Sequence, residues 1–292
     1  MGLKLLIVNY HYIREFPPTR GIYNITPTAF EKQLEVIYQN GFHFVSLEDI
    51  HQAITNKDTN ILNRKSCLIT FDDGLRESYE LGNSILDKKG IPGAFYICSS
   101  MVDRIKVLDV HKFHHIQSQL NDREILSYLH PQHLAKLQTI SFKTIKNQYI
   151  WDEPETAKIK YLINFLLTPI ERADVIQKLF KSCISSEQEF AEYLYMTKEQ
   201  IKDIASRNSL GSHGVSHLPL ACLSGSELDY EISESRIALQ DLTGNSIEAI
   251  SYPYGGESAI SDAVFEFAGK HNILSGMTMM RGLNSEVDLL NT

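Results

Sequence analysis

Short apolar runs alternate with amphipathic segments in the first hundred residues and again after about residue 197. The runs have the length of buried strands, and the segments between them repeat their apolar positions at helical spacing. Repeated strand–helix units of this kind indicate parallel strands joined by crossover helices, so the pattern predicts an α/β barrel or an open parallel sheet. The predicted strands are Leu3–Asn9, Phe42–Val45, Ser66–Phe71, Ala94–Cys98, Leu210–Ser212, Ala249–Tyr252 and Ile273–Leu274.

One helical insertion and two helix caps refine this organisation. Residues 103–196 are rich in Leu, Ile, Lys, Glu and Gln, poor in glycine, and helical in spacing. We therefore expect residues 1–292 to form a single domain with a helical insertion at 103–196. After the insertion, two segments have the spacing of a capping box and predict helix starts. These segments are Thr197–Gln200 and Ser224–Glu227.

The composition excludes several classes of protein. With 43% hydrophobic and 22% charged residues, the chain is typical of a globular protein and not of a disordered one. A net charge of −8 argues against a nucleic-acid partner, since no basic excess is present to contact phosphates. The apolar runs are shorter than the roughly 20 residues of a membrane span, and no signal-peptide pattern is visible. Four scattered cysteines without a CxxC pair favour buried free thiols, and a cytoplasmic location is expected.

Two adjacent carboxylates follow one of the predicted strands, in Thr70–Gly74 (TFDDG). Carboxylates at the end of an apolar strand are costly unless a cation compensates them. Because Gly74 permits a sharp turn, Asp72 and Asp73 can reach the same edge of a sheet. One could then bind a metal while the other accepts a proton. Asp-Asp-Gly is also common in ordinary turns, so the segment alone leaves both interpretations open.

Two histidines follow a later strand, in Ser212–His217 (SHGVSH). An H-x3-H pair can place two imidazoles on one side of a helical turn, which suits a divalent transition metal. Chance pairs are common in a chain with 11 histidines, so structural histidines are the alternative. One aspartate with His213 and His217 would form a mixed nitrogen and oxygen site with open positions. Such a site fits metal-assisted hydrolysis.

A third segment, Ser251–Gly256 (SYPYGG), follows another predicted strand. It reads either as a turn with a packed aromatic ring or as the source of a backbone N–H for an oxyanion. Taken in order, these three segments resemble the first three motifs of the polysaccharide deacetylases, the NodB-homology group of carbohydrate esterase family 4. The resemblance covers roughly residues 3–100 and 197–280. It implies a distorted (β/α) barrel, with the helical insertion outside the shared core.

The resemblance also implies roles for individual residues. Asp73, His213 and His217 match the family's ligands for one divalent metal, usually Zn²⁺ and sometimes another transition metal. Asp72 matches the general base that activates the attacking water. Tyr254, which follows Pro253 in the substrate-binding third motif, matches the tyrosine whose backbone N–H faces the oxyanion. The expected substrate is an N-acetylated sugar or oligosaccharide, and the expected products are a free amino sugar and acetate.

Two departures from the family pattern bear on activity. Ser251 stands where the third motif usually carries an arginine that orients the base, and no late Leu-x-His element is found. Tyr10-His11, however, resembles a Tyr-His at the end of the first strand in one branch of the family, which also has Tyr-Pro-Tyr-Gly as its third motif. His11 is then a candidate acid or substrate ligand, with a structural histidine as the alternative.

Three functions remain open from the sequence. The first is a metal-dependent deacetylase acting on an amino sugar in a glycan or glycan precursor. The second is a catalytically impaired protein that binds metal and carbohydrate on the same fold, and the absent arginine and late histidine favour it. The third is an amidohydrolase acting on a non-sugar amide. Intact Asp72, Asp73, His213 and His217 favour an enzyme, because a pure binding protein needs no base beside the metal.

Overall fold

The computed structural model describes residues 2–16 and 20–290, which form two compact units. The larger unit contains the described residues before 17, Tyr23–Lys106 and the chain from Gln188 onward. The smaller unit contains residues 20–22 and Val107–Glu187. All the strands belong to the larger unit, and the smaller one is helical.

A curved parallel sheet forms the centre of the larger unit. Its main strands are β1 (Lys4–Tyr10), β5 (Lys65–Phe71), β6 (Gly93–Ile97), β7 (Leu210–Ser212), β8 (Ala249–Ser251) and β9 (Ser275–Met277), in that spatial order. The short strand β4 (His43–Phe44) also pairs with β5, and β2 (Tyr12–Ile13) pairs with β3 (Asn24–Ile25) separately. Leu5 and Asn284 exchange two backbone hydrogen bonds of 2.9 Å, which brings the chain beyond β9 back against β1. The architecture is the expected distorted (β/α) barrel.

Helices join the parallel strands, as the alternating pattern predicts. In the larger unit they are α1 (Pro27–Gln39), α2 (Leu47–Asn56), α3 (Ser84–Lys89), α10 (Glu187–Leu194), α11 (Lys198–Ser206), α12 (Gly225–Thr243), α13 (Asp262–Lys270) and α14 (Glu286–Leu290). The capping box at Thr197 is present, with Gln200 as its partner. The helix start predicted at Ser224 is confirmed, since α12 begins at Gly225, but the capping box is absent: the Ser224 side chain caps no backbone N–H, and only its carbonyl oxygen accepts from the Glu227 N–H.

The last strand differs from the sequence prediction. The apolar pair Ile273–Leu274 precedes the ladder, and Ser275–Met277 forms β9 instead. The centre of this strand is Gly276, where an added Cβ would lie 2.5 Å from the Tyr252 ring. Glycine is required because the aromatic ring of the third motif packs directly on this backbone.

One apolar cluster fills the inside of the sheet. Strand residues such as Leu5, Leu68 and Tyr96 pack there with Leu47 and Ile50 of α2. These side chains are almost completely removed from water, and each contributes roughly 1.5–3 kcal/mol on burial. This core fixes the strands whose carboxyl ends carry the predicted site residues.

The smaller unit is built, in its described residues, from six α-helices and the π-helix Leu162–Leu166. The α-helices are α4 (Asp109–Gln119), α5 (Asp122–Ser127), α6 (Pro131–Thr139), α7 (Phe142–Ile145), α8 (Pro154–Tyr161) and α9 (Pro169–Cys183). Lys112 is buried among them, and its ammonium lies 2.9 Å from Glu187 and 2.6 Å from the Gln177 side-chain oxygen. A buried cation is tolerated here because it is paired and hydrogen-bonded.

The cysteines of the chain differ in their exposure to solvent. Cys67 and Cys98 are buried free thiols, as expected, but Cys222 is exposed.

Across residues 2–16 and 20–290, no helix is both long and apolar enough to span a bilayer.

Candidate active site

Four strand ends bring the predicted site residues to one edge of the sheet. Asp72 and Asp73 follow β5, His213 follows β7, Tyr254 lies shortly after β8, and His11 follows β1. Because the strands are parallel, their carboxyl ends meet at the same edge, which is where barrel enzymes place their active sites.

Asp73, His213 and His217 form a compact cluster. Asp73 Oδ1 lies 3.4 Å from His213 Nε2 and 3.3 Å from His217 Nε2. All three candidate ligand atoms lie within 4.8 Å of one another, and all three side chains are buried. The two imidazoles meet edge to face, with ring centroids 4.8 Å apart. One oxygen and two nitrogens converging in this way form a donor set suited to a transition metal.

The backbone near the two ends of this cluster is in the left-handed region. Asp73 has a φ of 74° and His217 a φ of 56°, which cost energy for residues with a Cβ. At Gly74 an added Cβ would lie 2.4 Å from the Met101 methyl carbon. The glycine of TFDDG is therefore required by space as well as by φ, and it turns the chain so that both carboxylates face the site.

The segment that carries the histidines is a loop, so the predicted helical turn is wrong. Helix α12 holds this loop. One carboxylate oxygen of Glu231 accepts hydrogen bonds from the N–H groups of Val215, at 2.8 Å, and Ser216, at 2.9 Å. The Ser235 hydroxyl donates to the Gly214 carbonyl at 2.8 Å. Burial raises the pKa of Glu231, against the lowering effect of the two backbone donors. The spacing of the imidazoles thus depends on tertiary contacts.

His213 is held with one nitrogen toward Asp73. Its Nδ1 lies 2.6 Å from the Ser251 carbonyl oxygen, which can only accept, so Nδ1 carries the proton in the neutral ring. Nε2 is then the ligand atom. Burial alone would lower the pKa of His213, but the carboxylates of Asp72 and Asp73 outweigh it and raise the pKa. The two negative charges favour a cation at this place.

Two neutral donors hold Asp72 by one oxygen. The Asn9 amide donates to Asp72 Oδ2 at 2.6 Å, and the Ser251 hydroxyl donates to the same oxygen at 3.0 Å. The other oxygen, Oδ1, is buried and has no hydrogen-bond partner in the described part of the chain. Buried polar atoms without partners are rare. This open oxygen beside the cluster fits a site that receives a metal ion and a water molecule.

The third motif lies against the histidines. The Tyr254 ring meets the His217 ring edge to face at 4.8 Å, and Tyr254 has a left-handed φ of 63°. Pro253 lies 3.8 Å from the position that a Cβ on Gly214 would take. The structure therefore brings the predicted motifs together around one point.

His11 is placed by the strand register. The backbone N–H of Asp72 donates to the Tyr10 carbonyl at 3.1 Å, directly before His11. His11 is half-buried and directly follows the last residue of β1, the strand that pairs with β5. The sequence reasoning missed Asn9, two positions earlier, and treated Ser251 only as a missing arginine. A polar residue near the end of an apolar strand was the available signal for Asn9.

Comparison with known proteins relates the second half of the site to a family. The family model for polysaccharide deacetylase matches residues 175–273, which contain both histidines and the third motif. Asp72 and Asp73 lie before the matched segment, and the fold brings Asp73 against its two histidines. Proteins of this family are hydrolases acting on carbon–nitrogen bonds other than peptide bonds.

Solved structures with the same fold cover nearly the whole of this chain. A Streptococcus pyogenes deacetylase, PplD, determined in complex with acetate, is 18% identical, and the match covers 99% of this chain and 90% of that chain with a TM-score of 0.61. A de-N-acetylase from Aggregatibacter actinomycetemcomitans is 15% identical over 98% and 92%, with a TM-score of 0.60. IcaB from Ammonifex degensii is 18% identical over 97% and 87%, with a TM-score of 0.59. No curated protein matches significantly by sequence.

Proposed function

We propose that this protein is a metal-dependent deacetylase that hydrolyses the N-acetyl group of an amino sugar in a glycan or glycan precursor. The observation that carries the proposal is the buried cluster of Asp73, His213 and His217 with Asp72 beside it. An impaired binding protein would have no need of a buried carboxylate with one oxygen left open next to a metal site. The family and the similar structures support the same reaction class.

The three clustered side chains would hold one divalent ion, and the nitrogen-rich donor set favours Zn²⁺. When bound, the ion would supply a lowered pKa for a water molecule and polarise a carbonyl oxygen. Asp72 Oδ1 then accepts a proton from the water that attacks the acetamide carbonyl. The backbone N–H of Tyr254 is the proposed donor to the developing oxyanion.

Breakdown of the tetrahedral species breaks the carbon–nitrogen bond and requires a proton on the leaving amine. His11 is the proposed donor, since it directly follows Tyr10, whose carbonyl oxygen accepts from the Asp72 N–H. Pro253 fixes the turn that presents Tyr254. The products are acetate and the free amino sugar, and the proton lost by water is balanced by the proton gained by the amine.

The test is acetate release from short N-acetylglucosamine oligomers and related acetamido sugars by the zinc-loaded protein. Asp72→Asn removes the proton acceptor while it preserves size. We expect release to fall by about 10²- to 10⁴-fold. Zinc titration of the same variant should show that the metal is retained.

Release at the wild-type rate by Asp72→Asn would contradict the role of Asp72 as base. Release by the wild type from simple acetanilides but from none of the sugars would favour the non-sugar amidohydrolase. Zinc binding with no release from any acetamide would favour the impaired protein.

A further inference from the structure

The carboxylate of Asp72 is bound asymmetrically by neutral groups. Oδ2 accepts from the Asn9 amide at 2.6 Å and from the Ser251 hydroxyl at 3.0 Å, whereas Oδ1 accepts nothing from the described residues. Asp72 is 3% exposed and Ser251 is 5% exposed, so water does not compete freely for these bonds. Hydrogen bonds to a buried charged group are stronger than neutral ones.

The Asn9 amide is itself oriented. The Thr70 hydroxyl donates to Asn9 Oδ1 at 3.2 Å, which directs the amide nitrogen toward Asp72. The reverse orientation would place an amide oxygen 2.6 Å from a carboxylate oxygen, and neither atom can donate. Thr70 is fully buried and precedes Asp72 by two residues on β5. A short chain of donors thus runs from Thr70 through Asn9 to the carboxylate.

We propose that Asn9 and Ser251 are positioning residues that jointly occupy Asp72 Oδ2, so that Oδ1 is the oxygen that accepts the proton. The inference rests on the proposed function, since it takes Asp72 as the base. The two donors come from β1 and β8, on either side of the site, and restrain the carboxylate from two directions. They perform with two neutral groups the orienting task that an arginine at position 251 would otherwise perform.

Neutral donors have a different electrostatic consequence from a cation. An arginine would cancel one of the two negative charges at this edge of the sheet. Amide and hydroxyl donors fix the geometry and leave both charges to attract a metal and to draw a proton from water. The site therefore depends more on the exact placement of Asn9 and Ser251 than on any long-range field.

The experiment compares Asn9→Leu, Ser251→Ala and the double variant with the wild type. Each single variant should lower kcat for acetate release by roughly 10-fold, and the double variant by about 100-fold, as expected for a displaced catalytic group. KM and the affinity for zinc alone should stay within about 3-fold of the wild type. Ser251→Thr, which keeps the hydroxyl, should restore most of the activity.

Matched controls are available in the same unit. Asn83→Leu removes a buried amide that donates to Asp87 at 3.1 Å, away from the site. Ser275→Ala removes a buried hydroxyl that bonds His51 at 3.0 Å. Neither control should change kcat. Parallel losses of kcat, zinc affinity and stability in the Asn9 and Ser251 variants, matched by the controls, would indicate a structural role and overturn the proposal.

A second measurement does not depend on activity. Asn9→Leu should lower the Tm by about 5 °C in the wild type, by less in the Asp72→Asn background, which loses the charge, and by least in the Asp72→Leu background, which has no acceptor. Equal losses in all three backgrounds would show that Asn9 does not hold Asp72 and would overturn the proposal. If the wild type releases no acetate, the proposed function fails, and this coupling still decides whether Asn9 restrains the carboxylate.

Discussion

Each edge of the sheet has a histidine beside a serine and a carboxylate, half-buried His51 at one edge and buried His213 at the other, yet the two edges differ in charge. At the amino edge, His51 Nε2 lies 3.0 Å from the Ser275 hydroxyl, and its Nδ1 lies 4.0 Å from Glu248. At the carboxyl edge, His213 lies between two buried carboxylates, Asp72 and Asp73. Burial lowers the pKa of His51, whereas the carboxylates raise that of His213.

This difference separates a site for a cation from ordinary packing. The Glu248 side chain is 41% exposed, so water screens it, and burial outweighs it and lowers the pKa of His51. Asp73 is 1% exposed and cannot be screened in that way. Buried negative charge beside the imidazoles is therefore the property that distinguishes the carboxyl edge.

The largest expected effect comes from removing one of those charges. Asp73→Asn keeps the size of the side chain, and asparagine tolerates the left-handed φ of 74°. We expect the affinity for zinc to fall by more than about 100-fold, because an amide is a poor ligand and the negative charge is lost. Isothermal titration with zinc measures the change.

His51→Asn at the opposite edge is the control and should bind zinc as the wild type does. If Asp73→Asn binds zinc with the wild-type affinity, the difference in charge between the two edges does not determine where zinc binds.

A smaller effect is expected from the carboxylate that holds the histidine loop. Glu231→Gln keeps one acceptor but removes the charge that strengthens the bonds to Val215 and Ser216. Zinc affinity should fall by about 10-fold, within the range for residues that orient metal ligands. Glu234→Gln, on the exposed face of the same helix, is the matched control. Equal affinities for both variants would show that the loop needs no support from α12.

The smallest effect concerns pH and the amino edge. Because the pKa of His51 is lowered in the folded state, its contribution to stability is complete above the ordinary value of 6.5. That contribution is lost as the pH falls through the lowered pKa, since the unfolded chain then binds a proton that the folded chain does not. Glu248 and Glu48 oppose the shift.

Thermal unfolding between pH 7 and pH 5 tests this expectation. His51→Asn should reduce the acid-side loss of Tm by no more than about 4 °C, the shift that about 1 kcal/mol produces in a domain of this size. If the Tm of His51→Asn falls toward acid pH as steeply as that of the wild type, His51 does not contribute to the loss of stability, and the prediction is contradicted.

Local pattern predicted parallel strands joined by crossover helices, and the family resemblance added the distorted barrel and the choice of Asp73 as the candidate ligand. Asp73, His213 and Tyr254 each come shortly after a predicted strand, and parallel strands bring such ends together. Pattern failed where tertiary contacts decide. β9 contains Ser275 and Gly276, which are not apolar and so give no strand signal. Ser275 is needed there because it bonds His51, and Gly276 because it accommodates the Tyr252 ring.

The partners of Asp72 could not be predicted for the same reason. Asn9 and Ser251 are separated from it by 63 and 179 residues, and neither belongs to a motif that specifies a hydrogen bond. The sequence analysis treated Ser251 only as the absence of an arginine and gave its hydroxyl no role. Only the folded chain shows that its hydroxyl reaches the same carboxylate.

The left-handed backbone at Asp73, His217 and Tyr254 has a consequence for protein engineering. Each of these residues costs the fold roughly 1–2 kcal/mol relative to a residue without a Cβ. A screen that rewards heat resistance alone would therefore favour glycine at these positions, and at Asp73 and His217 that exchange would remove two of the three proposed metal ligands.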